Sequence, residues 1–155
     1  KKGNQWYFGM KAHIGVDTET RLIRSVAATG ANVHDSVVIG NLLHGDEELV
    51  FGDSAYSGKG SAILEAAPNA LDLTQRKGSR HRKLTEADRE FNRKKSRIRA
   101  RVEHIFGVMK GQFGFRKVRY KGLEKNRHYL FATCALINLV MAKEHLLKQR
   151  GTLQG

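Results

Sequence analysis

Positive charge and helical periodicity coincide in one segment of the chain, residues 76–121. This segment holds 17 Lys and Arg against four Asp and Glu, which accounts for the whole formal net charge of +13. Within it, Ile98, Val102, Ile105 and Met109 recur at the spacing of one helix face. A disordered basic segment is not expected to carry apolar residues at helical spacing. We therefore expect a long helix that packs its apolar face on a core and displays its bases.

The composition fits one folded domain with a polyanionic partner. A length of 155 residues with 40% hydrophobic residues is enough to bury a core. The net charge exceeds what solubility requires and indicates nucleic-acid binding. Cys134 is the single cysteine, which excludes an internal disulfide framework and suits a reducing compartment; we interpret it as a buried apolar residue. The apolar run around it, residues 129–142, is too short to span a bilayer.

Strand and helix signals alternate along the chain. In the first half they predict a β-hairpin over 6–31 with Asp17 in its turn, a short helix begun by Asp35 or Ser36, and a buried strand over 48–56. A helix over 57–70, ended near Pro68, and a strand over 70–78 are predicted next. The last two elements are a long helix from Thr85 to about Lys110 and a largely buried helix over 124–148. This order predicts an α/β fold with a mixed sheet and flanking helices. Because strand ends often carry function in such sheets, Asp53 is a candidate site residue.

Glu103, a lone acid among bases on the long helix, has two interpretations. At about 100° per residue, Arg99, Glu103 and Lys110 lie on one line that borders the apolar stripe. Spacing alone favours an i, i+4 ion pair with Arg99, worth about a few tenths of a kcal/mol. Alternatively, Glu103 and Asp53 are carboxylate ligands for Mg²⁺, and flanking bases such as Arg101 bind phosphates.

A second basic cluster, RKGSRHRK at residues 76–83, is predicted to make sequence-independent contacts with DNA phosphates. Its bases are Arg76, Lys77, Arg80, Arg82 and Lys83. Further along, residues 113–122 (FGFRKVRYKG) mix aromatic and basic side chains. Their aromatic rings either stack on unpaired bases or pack inward, and the sequence leaves both open. The histidines are scattered without cysteine partners, which argues against a zinc site.

Four sequence blocks resemble the DDE transposases of bacterial insertion sequences, and they occur in the order of that family. The blocks are GMKAHIGVD, ATGANVHDS, FGDSAYSG and RARVEHIFGVMKGQFGFRKVRYKGL, and the similarity extends to about Lys148. The last block contains Arg99, Glu103 and Lys110 at the spacing of the family signature, which reads Tyr, two residues, Arg, three residues, Glu, six residues, Lys. Ser96 stands at the Tyr position, so we assign it no role.

The resemblance implies an RNase H-like catalytic domain over residues 1–148, followed by a tail over 149–155. In that family three carboxylates bind two Mg²⁺ or Mn²⁺ ions, which drive strand cleavage and strand transfer at transposon ends. The resemblance implies that Asp53 and Glu103 are two of the three, and that Arg99 contacts DNA near the cut. It implies the same DNA contact for Lys110.

The first carboxylate of the family lies on a strand that precedes the hairpin. We expect that strand upstream of this chain, because Asp17 fits the hairpin turn and Asp35 fits a helix start. The chain is therefore expected to be a fragment that is inactive alone. His34, next to Asp35, is left without an assigned role.

The resemblance also implies DNA as the partner, a homo-oligomer when intact, no membrane association, and a bacterial cytoplasmic, nucleoid-associated location. Two alternatives stay open. One is a non-enzymatic basic nucleic-acid-binding module in which Glu103 simply pairs with Arg99. The other is a related metal-dependent nuclease that cuts without strand transfer.

Overall fold

The computed structural model describes residues 4–5, 9–80 and 82–152, in which strands and helices alternate. The strands are β1 (Met10–Val16), β2 (Ile23–Gly30), β3 (Leu49–Val50) and β4 (Leu71–Asp72). The α-helices are α1 (Gly60–Ala66), α2 (Glu86–Gly111) and α3 (Leu123–Thr152), and short 3₁₀ turns occupy Asp35–Val37, Ile39–Leu42 and Ser54–Tyr56. The predicted α/β class is confirmed.

β1 and β2 form the predicted antiparallel hairpin, with Ile14 opposite Val26. Its first residues, 6–8, lie outside the described residues. One Asp17 carboxylate oxygen accepts hydrogen bonds from the backbone N–H of Thr20 at 2.6 Å and of Glu19 at 3.0 Å. The hydrogen bonds from Thr20 contribute most to lowering the pKa of Asp17, and the bond from Glu19 lowers it further. Its assignment to the hairpin turn is confirmed.

The strands form two small sheets instead of the single mixed sheet that the sequence predicts. β1 pairs with β2, and β3 pairs in parallel with β4. Backbone hydrogen bonds extend this parallel pairing to Gln75, whose N–H donates to Gly52 O at 3.0 Å. A groove of about 370 Å³, lined by Ile14 and Val16 of β1 and by Val50 of β3, lies between the two sheets.

The short helix predicted after the hairpin is present as two 3₁₀ turns, Asp35–Val37 and Ile39–Leu42. The Asp35 carboxylate does not point back along its own turn. It accepts a hydrogen bond from Lys11 Nζ at 2.9 Å, which ties this segment to β1. The side chain of Ser36 lies outside the described residues.

The main core lies where α2 and α3 pack on the hairpin. Ile105 of α2 and Ile137 of α3 are fully buried there, and they pack with the nearly buried Ile14 of β1. Asn138 fixes α3 to β2, since its amide donates to Ile23 O and accepts from Ile23 N–H, each at 2.8 Å. Cys134 is buried in this core, and burial raises the pKa of its thiol to about 11, which confirms its interpretation as a buried apolar residue.

α3 is less buried than predicted. Leu136, Leu139 and Leu147 are about half exposed, on helix faces that point away from the buried Ile137 face. The two-stranded hairpin offers a single surface, so it covers one side of a helix that is apolar nearly all round. In the part of the chain that the structure describes, no helix has the length and apolar content to cross a membrane.

α2 begins as predicted, with Thr85 as its N-cap. The Thr85 hydroxyl accepts a hydrogen bond from Asp88 N–H at 3.1 Å, and the Asp88 carboxylate accepts one from Thr85 N–H at 3.1 Å. This capping box satisfies two N–H groups that a helix start leaves unpaired.

We expect Thr85→Ala to lower the free energy of unfolding by about 1 kcal/mol, since it removes the hydroxyl acceptor of the cap. Urea unfolding followed by circular dichroism measures the change. Thr85→Ser keeps the hydroxyl and is the matched control, with a stability close to that of the wild type. An equal loss in the two variants would show that the hydroxyl does not act as a cap.

Candidate active site

Arg99 brings together two carboxylates from distant parts of the chain. Its Nη2 lies 3.3 Å from Glu103 Oε1, one turn further along α2, and 3.8 Å from Asp53 Oδ2, in the segment after β3. The i, i+4 ion pair that spacing favours is therefore present. The same cation also contacts Asp53, which spacing on one helix could not predict. An arrangement of two carboxylates facing one cation is compatible with a metal site as well as with a structural ion pair.

The backbone that carries Asp53 is held close to β4. A Cβ added to Gly52 would lie 2.8 Å from Thr74 Cγ2, so glycine permits this close approach. Asp53 follows β3 by three residues and begins a 3₁₀ turn, in which its carbonyl accepts from Tyr56 N–H at 3.0 Å. The strand ends earlier than predicted, but Asp53 still lies just beyond its carboxyl end.

Tyr56 lies next to this segment and lines the groove between the two sheets. Burial raises the pKa of its phenol, and the negative charges of Asp35 and Asp53 raise it further. Tyr56 therefore remains a neutral hydrogen-bonding group at neutral pH.

Asp53 and Glu103 offer hard oxygen ligands of the kind that Mg²⁺ and Mn²⁺ prefer. The side chains of Asp53 and Glu103 are 43% and 67% exposed, so a cation from solvent can reach them. Among the described residues, no group of three or more His, Cys, Asp or Glu side chains is arranged to hold a metal ion. The two carboxylates fit part of a metal site. Asp17 and Asp35 do not complete it, because the turn and Lys11 engage them.

Gln75 links Arg99 to the rest of the site, and sequence reasoning missed it. Its side-chain amide is nearly buried, accepts a hydrogen bond from Arg99 Nη1 at 2.9 Å and donates one to Ser96 Oγ at 2.9 Å. Ser96, which had no assigned role, is thus part of this hydrogen-bonded network. The sequence offers a weak signal, since Gln75 is a polar residue at the end of an apolar strand pattern.

The basic cluster over 76–83 is anchored to the start of α2 by Asp88, which is 2% exposed. Arg76 Nη1 lies 2.6 Å from Asp88 Oδ1, and Arg82 Nη2 lies 3.7 Å from Asp88 Oδ2. Asn92 adds two hydrogen bonds to the Arg76 backbone, each at 2.9 Å. The cluster is therefore an ordered surface, with His81 outside the described residues.

The remaining predicted bases of this cluster point to solvent. Lys77, Arg80 and Lys83 are exposed. Lys77 and Lys83 line a cavity of about 360 Å³ together with Arg76, Arg82 and Asp88. Since four bases surround one carboxylate there, the cavity favours an anion.

Asp88 is expected to make the anchoring of this cluster depend on acid pH. Hydrogen bonds from Arg76 and then Thr85 hold its pKa at about 2, below the ordinary 3.8. Because the pKa of Asp88 is lower in the folded state than in the unfolded state, its ionised carboxylate contributes its full stabilisation above pH 3.8. This stabilisation is lost as the pH falls towards 2. Asp88→Asn should therefore be less stable than the wild type near neutral pH.

Urea unfolding at several pH values between 7 and about 2.5 measures this difference. We expect the stability gap between the wild type and Asp88→Asn to narrow as the pH falls. Glu65→Gln, at an exposed position of α1, is the control and should show no such gap. A gap that stays constant with pH would contradict a role for the ionised carboxylate.

Arg101 and Lys110 have contacts different from those of Arg99. Arg101 donates a hydrogen bond to Thr18 O at the hairpin turn, so its DNA contact remains a prediction. Lys110 is exposed in the last turn of α2, beside a groove of about 680 Å³ whose other bases include Lys11 and Arg116.

The aromatic residues after α2 pack inward. Phe113 and Phe115 pack against the main core, and the Phe115 ring stacks on Tyr129 at a centroid distance of 5.1 Å. Tyr120, which is 43% exposed, meets Tyr129 edge to face at 5.8 Å. Of the two alternatives that the sequence leaves open, inward packing is the one observed.

Comparison with known protein families identifies a match. The family described as the transposase DDE domain matches residues 1–139, which is most of the chain. No solved structure matches the chain. The match agrees with the resemblance of the four sequence blocks and with the α/β layout of an RNase H-like domain. The chain belongs to the transposase DDE domain family.

Proposed function

We propose that this chain is part of a DNA transposase that cuts and joins DNA strands at transposon ends with two Mg²⁺ or Mn²⁺ ions. The observation that carries the proposal is the convergence of Asp53 and Glu103 on Arg99. Asp53 and Glu103 would hold the metal. When bound, such ions activate the attacking hydroxyl or water and stabilise the leaving oxygen.

The charge along α2 supports a DNA track that passes over this site. The basic cluster 76–83 docks at the start of the helix, the carboxylates lie near its middle, and Lys110 lies in its last turn. From Asp88 to Lys110 the helix rises about 33 Å, close to one turn of B-DNA. DNA phosphates on either side of the cut would thus contact Lys and Arg side chains, while the phosphate at the cut would lie beside the two carboxylates.

Arg99 has a specific task in this proposal. Without DNA its guanidinium balances the two carboxylates. A guanidinium is also a good ligand for a phosphate, which it can bind with two parallel hydrogen bonds. When metal ions balance the carboxylates, Arg99 is free to bind the phosphate next to the cut.

The third carboxylate of the family would come from a strand outside the described residues. The groove between the two sheets is a suitable place for it, since β1 and β3 flank this groove and each pairs with a single strand among the described residues. Apolar side chains such as Ile14 and Val50 would cover one face of that strand. This chain alone would then be inactive. A homo-oligomer and a bacterial, nucleoid-associated location also belong to this proposal.

The ion pair between Arg99 and Glu103 favours one alternative, a basic module that binds nucleic acid without chemistry. A metal-dependent nuclease is a second alternative. The full-length protein, incubated with DNA that carries the transposon ends, distinguishes the three.

The transposase proposal expects cleavage and joined products with Mg²⁺ or Mn²⁺, and neither product with EDTA. Binding with no cleavage under any metal condition would support the binding module. Cleavage without joining would support the nuclease.

A further inference from the structure

We infer that Gln75 is a positioning residue that restrains Arg99 and so weakens the competition of Arg99 with a metal ion for the two carboxylates. This inference rests on the proposed function, because it concerns the proposed metal site. Gln75 belongs to neither the family signature nor the set of charged residues. Its importance follows from its contacts in the folded chain.

The orientation of the Gln75 amide is fixed by its partners. Arg99 Nη1 can only donate, so the atom 2.9 Å away must be the amide oxygen. On the other side, the amide nitrogen lies 2.9 Å from Ser96 Oγ and 3.2 Å from Asn92 O. Ser96 Oγ donates its own proton to Asn92 O at 2.9 Å, so it accepts from Gln75. The network therefore has one consistent set of donors and acceptors.

The contact with Gln75 gives the two terminal nitrogens of Arg99 different partners. Nη1 donates to the amide, and Nη2 faces Asp53 and Glu103. An unrestrained arginine prefers to bind a carboxylate with two nitrogens at about 2.7–2.9 Å. The observed distances of 3.3 Å and 3.8 Å are longer. Gln75 thus holds the arginine near the carboxylates without letting it close on either of them.

A metal ion displaces an arginine more easily when the arginine is held at a longer distance from the carboxylates. If Gln75 lost its amide, the freed Nη1 would turn towards Asp53 or Glu103 and compete with the ion for the same oxygens. The apparent affinity for metal would fall, although no metal ligand had changed.

Gln75 also has a purely structural contact, because its backbone N–H donates to Gly52 O next to Asp53. A side-chain substitution keeps that backbone bond. Gln75→Met has a similar length and lacks the amide, so it tests the side chain alone. Gln112→Met, at an exposed position after α2, is the matched control.

The experiment measures Mn²⁺ binding by electron paramagnetic resonance in the full-length protein, with and without Arg99→Ala. We expect Gln75→Met to raise the Kd for Mn²⁺ about tenfold, the range found when a group that orients a metal site is removed. In the Arg99→Ala background the same substitution should change the Kd by less than about twofold, because the competing cation is gone. Gln112→Met should leave the Kd unchanged.

The outcomes separate this inference from the proposed function. A wild-type protein that does not bind Mn²⁺ would overturn the proposed metal site and this inference with it. Wild-type binding that Gln75→Met does not weaken would overturn the inference alone. The inference would also fail if the tenfold loss persisted without Arg99, since Gln75 would then act through the general structure of the site.

Discussion

Asp53→Ala or Glu103→Ala in the full-length protein is expected to abolish strand cleavage and to leave DNA binding within about threefold of the wild type. Each carboxylate converges on Arg99, where the proposed metal ions would lie. Metal catalysis supplies several kcal/mol of transition-state stabilisation, so a loss of on the order of 10³-fold or more in the cleavage rate is expected. Binding should persist because the bases that contact phosphates are unchanged.

Glu90→Ala is the matched control for this prediction. It also removes one carboxylate from α2, but Glu90 pairs with Lys94 at 3.0 Å and does not contact Arg99. Its cleavage rate should be close to that of the wild type. Normal cleavage by Asp53→Ala and Glu103→Ala would show that the metal ligands have been assigned wrongly.

Neutralising the three exposed bases Lys77, Arg80 and Lys83 together to Gln is expected to weaken DNA binding by roughly 10²-fold near 0.1 M salt. These side chains lie on the cluster that Asp88 orders, and they point to solvent. Each lost phosphate contact reduces the slope of log K against log salt by about 0.9, so the slope should fall by nearly 3. Fluorescence anisotropy at several salt concentrations measures the affinity and the slope together.

A triple variant with the same change of charge elsewhere is the control. Lys125, Arg127 and Lys143 are exposed on α3, outside the cluster over 76–83, and Gln at these positions should change the slope much less. If the two triple variants weaken binding equally, the effect is one of net charge. The cluster over 76–83 would then have no particular role in DNA binding.

Several elements could be predicted from the sequence because neighbouring residues determine them. The Thr85 cap and the apolar stripe of α2 depend on residues three or four positions apart, and so does the ion pair between Arg99 and Glu103. The turn at Asp17 likewise depends on Glu19 and Thr20. The candidate carboxylates were suggested by a strand end and by helical phase, and the order of the four sequence blocks then favoured their interpretation as metal ligands.

Other features could not be predicted because they depend on pairs that are distant in the sequence. The two-sheet arrangement and the exposed side of α3 follow from how much surface the hairpin offers, which no local pattern records. The hydrogen bond from Arg101 to the hairpin turn joins residues 83 positions apart, and the DNA contact of Arg101 stays a prediction. Each of these features depends on contacts between segments that are distant in the sequence.

The sequence by itself determined that the chain has a long basic helix with Arg99, Glu103 and Lys110 on one line, because helical geometry repeats every few residues. The tertiary structure decided what that line faces. It placed Asp53 within 3.8 Å of Arg99, and it placed Gln75, 24 positions before Arg99, within 2.9 Å of the same guanidinium. The physical reason is that these contacts form where the segments after β3 and β4 meet α2, and the distance between residues along the chain does not predict that meeting.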